Sequence, residues 1–89
     1  MVRNENFDRF DINNMEVGDK VICHLELGHD YIEYSMIVTT IDKDDFEYDD
    51  DGNLYVVAFG EGLTEDDKEF VEYEAGCRID ASNFVCIKV

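Results

Sequence analysis

The chain has 89 residues, with 23 Asp and Glu against 7 Lys and Arg, for a formal net charge of −16. A single domain of this length buries roughly 60–65% of its unfolded surface, and an apolar content of 45% is enough for a core, which argues against wholesale disorder. The charge argues against direct binding to nucleic acid or to an anionic membrane, because such binders need Lys and Arg to displace phosphate counterions.

Residues 1–14 are polar apart from Phe7, Phe10 and Ile12, and read as an arm or short helix pinned by aromatics. The single domain occupies residues 15–89. It opens with a turn over residues 16–19 (EVGD) that enters a strand. From there Val21, Cys23, Leu25 and Leu27 alternate with Lys20, His24 and Glu26, placing the first set on the core face. Gly28, His29 and Asp30 signal a turn. Residues 31–41 are rich in Ile, Val, Thr and Tyr and predict a long strand with Ile32, Tyr34, Met36 and Val38 on one face and Glu33, Ser35, Ile37 and Thr39 on the other.

Residues 42–45 (DKDD) break that run, and residues 46–48 resume it. Asp51, Gly52 and Asn53 form a hairpin turn, since Asp and Asn tolerate left-handed backbone angles and glycine adopts them freely. Residues 54–59 (LYVVAF) predict a buried strand, ended at residues 60–62 (GEG). Thr64 to Asp67 can cap one helical turn. Residues 69–74 alternate as a further strand, with Phe70 or Val71 facing in. Ala75 and Gly76 turn the chain, residues 80–83 (DASN) make a short turn, and residues 84–89 close the sheet.

Five or six short strands without a long helix predict an all-β fold, a small antiparallel barrel or strongly curled sheet. A sheet this small must curl or close to bury one face and hide its edges. The VGDKV entry at residues 17–21, two long central strands and the tight turn at residues 80–83 resemble small β-barrels of the Src-homology or Tudor type, over roughly residues 15–89. Those barrels are mostly binding modules. None of their ligand-pocket signatures is present, so the resemblance implies architecture alone.

Acidity is the informative feature. Asp42, Asp44, Asp45, Glu47, Asp49, Asp50 and Asp51 put seven acids in ten residues, beside Tyr48. Glu61, Glu65, Asp66, Asp67, Glu69, Glu72 and Glu74, beside Tyr73, are opposed only by Lys68. In a strand, Glu72 and Glu74 would share a face roughly 6.6 Å apart at about 3.3 Å per residue. An EF-hand does not fit. With Gly52 at the sixth loop position, the twelfth is Ala58, and no helices flank the loop.

Two readings of the surplus charge stand side by side. One is a solvated, solubilising surface. The other is a mimic of a nucleic-acid backbone that occupies the basic groove of a nucleic-acid-binding protein, such as a nuclease, a restriction or CRISPR effector, or a polymerase component. Its contacts would come from Asp42, Asp44, Asp45, Glu47, Asp49 to Asp51, Glu65, Asp66, Asp67, Glu69, Glu72 and Glu74, with Tyr48 and Tyr73 as anchors. Tyr31, Tyr34 and Tyr55 are further aromatic candidates. In size and charge the chain resembles the small acidic inhibitors that phages carry against such proteins, a class without a shared motif. The runner-up is an adaptor domain that binds through a sheet edge or an aromatic groove.

No catalytic constellation is recognisable. Cys23 and His24 are adjacent, and neighbours on a strand point to opposite faces. Cys23, His24, Cys77 and Cys86 lack the paired spacing of zinc sites. The expectation is a non-enzyme without cofactor or metal. Three cysteines without a CxxC pair read as buried thiols in a reducing compartment. With no apolar leader-like run in residues 1–14 and no 18-residue apolar window, the chain reads as cytoplasmic.

Overall fold

A computed structural model describes residues 7–9, as backbone, and residues 11–88. Phe10, Val89 and the beginning of the expected N-terminal arm lie outside the described residues. The strands are β1 (Phe7–Arg9), β2 (Lys20–Leu27), β3 (Asp30–Tyr48), β4 (Leu54–Gly62), β5 (Arg78–Ile79) and β6 (Phe84–Lys88). A 3₁₀ turn spans Ile12–Asn14, helix α1 spans Glu65–Phe70, and a wider turn of π-helix continues through Val71–Ala75.

All pairings are antiparallel, in the order β1-β6-β2-β3-β4-β5. The sheet is strongly curled and not closed. Its longest strand is β3, with 19 residues. The first half pairs with β2 from Asp30 to Ile37, and the remainder pairs with β4 from Met36 to Tyr48. Bulges between Val38 and Thr40 and between Asp42 and Phe46 let one strand bend between two neighbours. The expected break at residues 42–45 is therefore a bulge inside a continuous strand. The Asp44 amide donates to Asp42 Oδ1 at 3.1 Å, so the acidic residues hold the kink locally instead of ending the strand.

The main core cluster follows the alternation in β2 and β3, while Ile22, Val57 and Cys86 are buried outside it. Val21, Cys23, Met36, Val38, Val57, Ala58, Ile79, Cys86 and Ile87 are closed to solvent, with Tyr34, Ile12 and Met15 nearly so. Leu25 is half-buried, and Leu27, expected inside with it, is exposed because the end of β2 runs beyond the core. One row crosses the sheet from Ile87 to Val21 to Met36 and reaches Gly62. Where that row would continue as a side chain, the backbone of Asp67 and Lys68 lies against Gly62 instead. A Cβ there would overlap it, so the glycine lets α1 sit directly on the sheet.

Residues 69–74 are not a strand. Thr64 caps α1, its Oγ1 accepting from the Asp67 amide at 3.2 Å while Asp67 Oδ2 accepts from the Thr64 amide at 3.3 Å. This capping box nucleates a helix. Polar–apolar alternation over six residues fits a strand and a helical turn alike, and the cap decides. Phe70 packs on Tyr34 with ring centroids 5.2 Å apart, and Val71 is buried. Gly76, at φ 83° and ψ 166°, takes a positive-φ conformation open to glycine, and the helix ends there. Its amide donates to the Val71 carbonyl at 2.8 Å.

Candidate functional site

The structure divides the expected contact acids into those that hold the fold and those that do not. Asp49 belongs to the first group. Its Oδ1 accepts from the amides of Asp51 at 2.9 Å and Asn53 at 2.8 Å, and its Oδ2 accepts from Asn53 Nδ2 at 2.9 Å and the Tyr55 hydroxyl at 3.0 Å. These bonds, Asn53 foremost, hold the Asp49 carboxyl below its ordinary value, and the carboxylate in turn raises the Tyr55 hydroxyl. With Gly52 at φ 84°, the carboxylate ties the β3–β4 hairpin together. A neutral acceptor would bind the same donors more weakly.

Asp67 is a second structural acid. Besides closing the capping box, its Oδ1 accepts from the Ser35 amide at 3.2 Å and fastens α1 to β3. Asp45 and Glu47 are partly neutralised by a base from far along the chain. Arg78, from the two-residue strand β5, approaches Asp45 at 3.7 Å, Glu47 at 3.1 Å and Asp80 at 2.8 Å. Asp80 is the buried acid of the set, at 8% exposure. Burial alone would raise its carboxyl, but hydrogen bonds from Ser82 and Arg78 outweigh that and hold it below the ordinary value. Asp80 and Glu47 raise the Arg78 guanidinium in return.

The remaining acids are solvent-facing. Asp44, Asp50, Asp51, Asp66, Glu69, Glu72 and Glu74 are exposed, and their side chains make no hydrogen bond or ion pair among the described residues. Glu65 meets Lys68 at 3.7 Å with both side chains largely in water, a pair of little energetic weight. Because residues 65–75 are helical, Glu72 and Glu74 do not share a face as strand residues would. Instead Asp66, Glu69 and Tyr73, at spacings of three and four, line one shallow surface with Phe70 and Glu74.

The two acidic groups sit at opposite ends of β4. The hairpin precedes Leu54 and α1 follows Gly62, eight residue steps away, a contour of at most about 26 Å at ~3.3 Å per residue.

The tyrosines divide in the same way. Tyr34 is buried, with burial first and then the Cys23 charge pushing its hydroxyl up to about 12. Tyr31 stacks on His24 at 5.1 Å, and Tyr55 is bound to Asp49. Tyr48 and Tyr73 are exposed, at 71% and 73%. An open cleft beside the hairpin is lined by Glu47, Tyr48, Asp49, Tyr55, Ala81 and Ser82.

The cysteines correct one expectation. Cys23 and Cys86 are buried, but Cys77, just past the helix-ending glycine, is exposed. Desolvation, followed by the Asp80 and Cys86 charges, pushes the Cys23 thiol up to about 12. Among the described residues no group of three or more His, Cys, Asp or Glu side chains converges on a metal-sized site, and no helix is long and apolar enough to cross a membrane. No family model, curated protein or solved structure matches the chain.

Proposed function

We propose that the chain is a non-enzymatic inhibitor that presents carboxylates in place of nucleic-acid phosphates to the basic groove of a nucleic-acid-binding protein. One observation carries this reading. After the turns, cap and bulge have taken the carboxylates they need, seven of the expected contact acids remain exposed and, among the described residues, unpaired, at both ends of β4 and beside two exposed tyrosines. Like charges kept close together oppose folding, so a surface that served solubility alone would gain from interspersed Lys and Arg. The architecture we read as that of the Src-homology or Tudor-type barrels. The Gly18–Asp19 turn into β2 and the turn at residues 80–83 before β6 support it.

The test is charge reversal that spares the structural acids. Asp50→Lys with Asp51→Lys alters the hairpin patch, and Asp66→Lys with Glu69→Lys alters the helix patch. Asp49 and Asp67 are left in place. Tagged protein is used to retrieve partners from cytosol at low and high salt, with and without added DNA or RNA. Mimicry requires a nucleic-acid-binding protein that nucleic acid displaces, that high salt releases and that at least one variant no longer retains. A partner indifferent to salt, to nucleic acid and to both reversals would show instead an adaptor whose acidity serves solubility.

A further inference from the structure

The β3–β4 hairpin has two unlike faces. Antiparallel register sets Phe46 opposite Val56, Glu47 opposite Tyr55, and Tyr48 opposite Leu54. Side chains directly opposite each other share a face, and alternate pairs share it too. Glu47 and Tyr55 therefore form one face, where Arg78 and the Asp49 tie are found. By register Phe46, Tyr48, Leu54 and Val56 form the other, and Tyr48, at the hairpin tip, also borders the cleft with Glu47 and Tyr55. On this second face Phe46 is 39% exposed, Tyr48 71% and Leu54 40%. Phe46 and Tyr48 lie within the most acidic ten-residue stretch of the chain, close in sequence to Asp44, Asp50 and Asp51, with Lys43 as the base among them.

The face is held in advance of any contact. The Asp49 bonds fix the turn, and Arg78 clamps the base of the hairpin through Asp45 and Glu47. On β4, Asn13 donates from Nδ2 to the Leu54 carbonyl at 2.8 Å and accepts at Oδ1 from the Val56 amide at 3.0 Å. Those β4 backbone groups are thus already bonded, so on β4 a partner meets the side chains. A second copy of this chain is a poor occupant, because it would bring a second Asp44, Asp50 and Asp51 against the first in a molecule of net charge −16. A nucleic acid or an anionic membrane fails for the same reason.

We propose that Phe46, Tyr48 and Leu54 form the affinity-bearing centre of the contact, seating in an apolar recess that is ringed by Lys and Arg on a basic protein. The inference rests on the polyanion reading above and divides its labour. The carboxylates speed and orient approach, and the aromatic–aliphatic face, once dehydrated, slows release. Rigid, large side chains at the tip of a locked hairpin lose little freedom on binding.

The chain contains no tryptophan, so a tryptophan in a probe reports binding without background. The probes are two oligolysine peptides of equal charge, one with a central Trp-Leu pair and the other with Gly-Ser there and a terminal fluorophore. The Trp-Leu peptide should bind at least about tenfold tighter, with a blue-shifted emission. Tyr48→Ser combined with Leu54→Ser should abolish that preference and leave the weaker, salt-dependent binding of both peptides. Tyr48→Phe should keep it. Asp50→Asn with Asp51→Asn should weaken both peptides alike and flatten their salt dependence. Urea midpoints equal to that of the parent establish that the variants fold.

Equal binding of the two peptides overturns the inference, as does a preference that survives the Tyr48 and Leu54 changes. So does sedimentation as a dimer that Tyr48→Ser dissociates. Equal, salt-sensitive binding leaves the polyanion reading standing without this centre. A preference indifferent to salt and to Asp50→Asn with Asp51→Asn removes the polyanion reading and leaves the apolar contact.

Discussion

Replacing Asp80 tests whether a buried carboxylate organises the turn between β5 and β6. Its side chain accepts from the Ser82 amide at 3.0 Å, from the Ser82 hydroxyl and from Arg78 Nε at 2.8 Å, with the residue 8% exposed. A hydrogen bond to a charged group contributes about 1.5–3 kcal/mol. Asp80→Ala removes several, but Ser82 and Arg78 are exposed enough to recover water, so the total cost lies at the lower end, about 2 kcal/mol. For a domain of this size that is a fall in Tm of roughly 10 °C. Asp80→Asn keeps an acceptor for Ser82 and loses the charge, and costs about half as much.

The pH dependence separates charge from packing. The folded Asp80 carboxyl lies below its ordinary value of 3.8. Its contribution is therefore present above the unfolded value and is lost as pH falls through the folded one. Urea unfolding followed by circular dichroism should show the full gap between parent and Asp80→Asn at pH 7. The gap should narrow steadily once the pH drops below 3.8, as the parent carboxyl itself protonates. A gap of the same size at pH 7 and pH 3 would mean that the substitution acts through shape, and the account of Asp80 as a paired anion would be wrong.

Two other expectations concern the fold alone. Gly62→Ala should destabilise by about 1–3 kcal/mol, as overpacking does, because its Cβ would meet the α1 backbone at Asp67 and Lys68 and not a side chain that can swing away. The urea midpoint reads it, and an unchanged midpoint would show that α1 does not rest on β4. Under native conditions a maleimide should label one thiol, Cys77, with Cys23 and Cys86 reacting only after unfolding. Burial pushes Cys23 up to about 12, which also leaves it without thiolate at neutral pH. Mass spectrometry counts the adducts, and rapid native labelling of all three would contradict the buried core.

Much of the architecture was legible in the chain. Alternation through residues 20–27 and 31–41 set the strands and which residues share a face, because a period of two is a local property of extended backbone. Asp51, Gly52 and Asn53 marked the hairpin, and Thr64 with Asp67 marked the cap, since turn and cap chemistry also lie within a few residues. The same locality explains the failure at residues 69–74. Their alternation suits a strand, and the cap five residues upstream determines that they continue a helix.

The candidate surface was legible only as a total. Composition established the surplus of acid and made Lys- and Arg-dependent binding to phosphate backbones a poor fit. It could not separate Asp49 and Asp67, which hold the fold, from Asp50 and Asp66, which face water beside them. Nor could it show that Arg78 reaches Glu47 across 31 positions of sequence. Those assignments depend on β5 pairing with β4, on the bulges that bend β3, and on which face a one-residue shift of register turns outward. The sequence set how much charge the molecule carries. Tertiary pairing decided which of it remains free, because a carboxylate is neutralised by whatever base the fold brings within a few ångströms, however distant that base is along the chain.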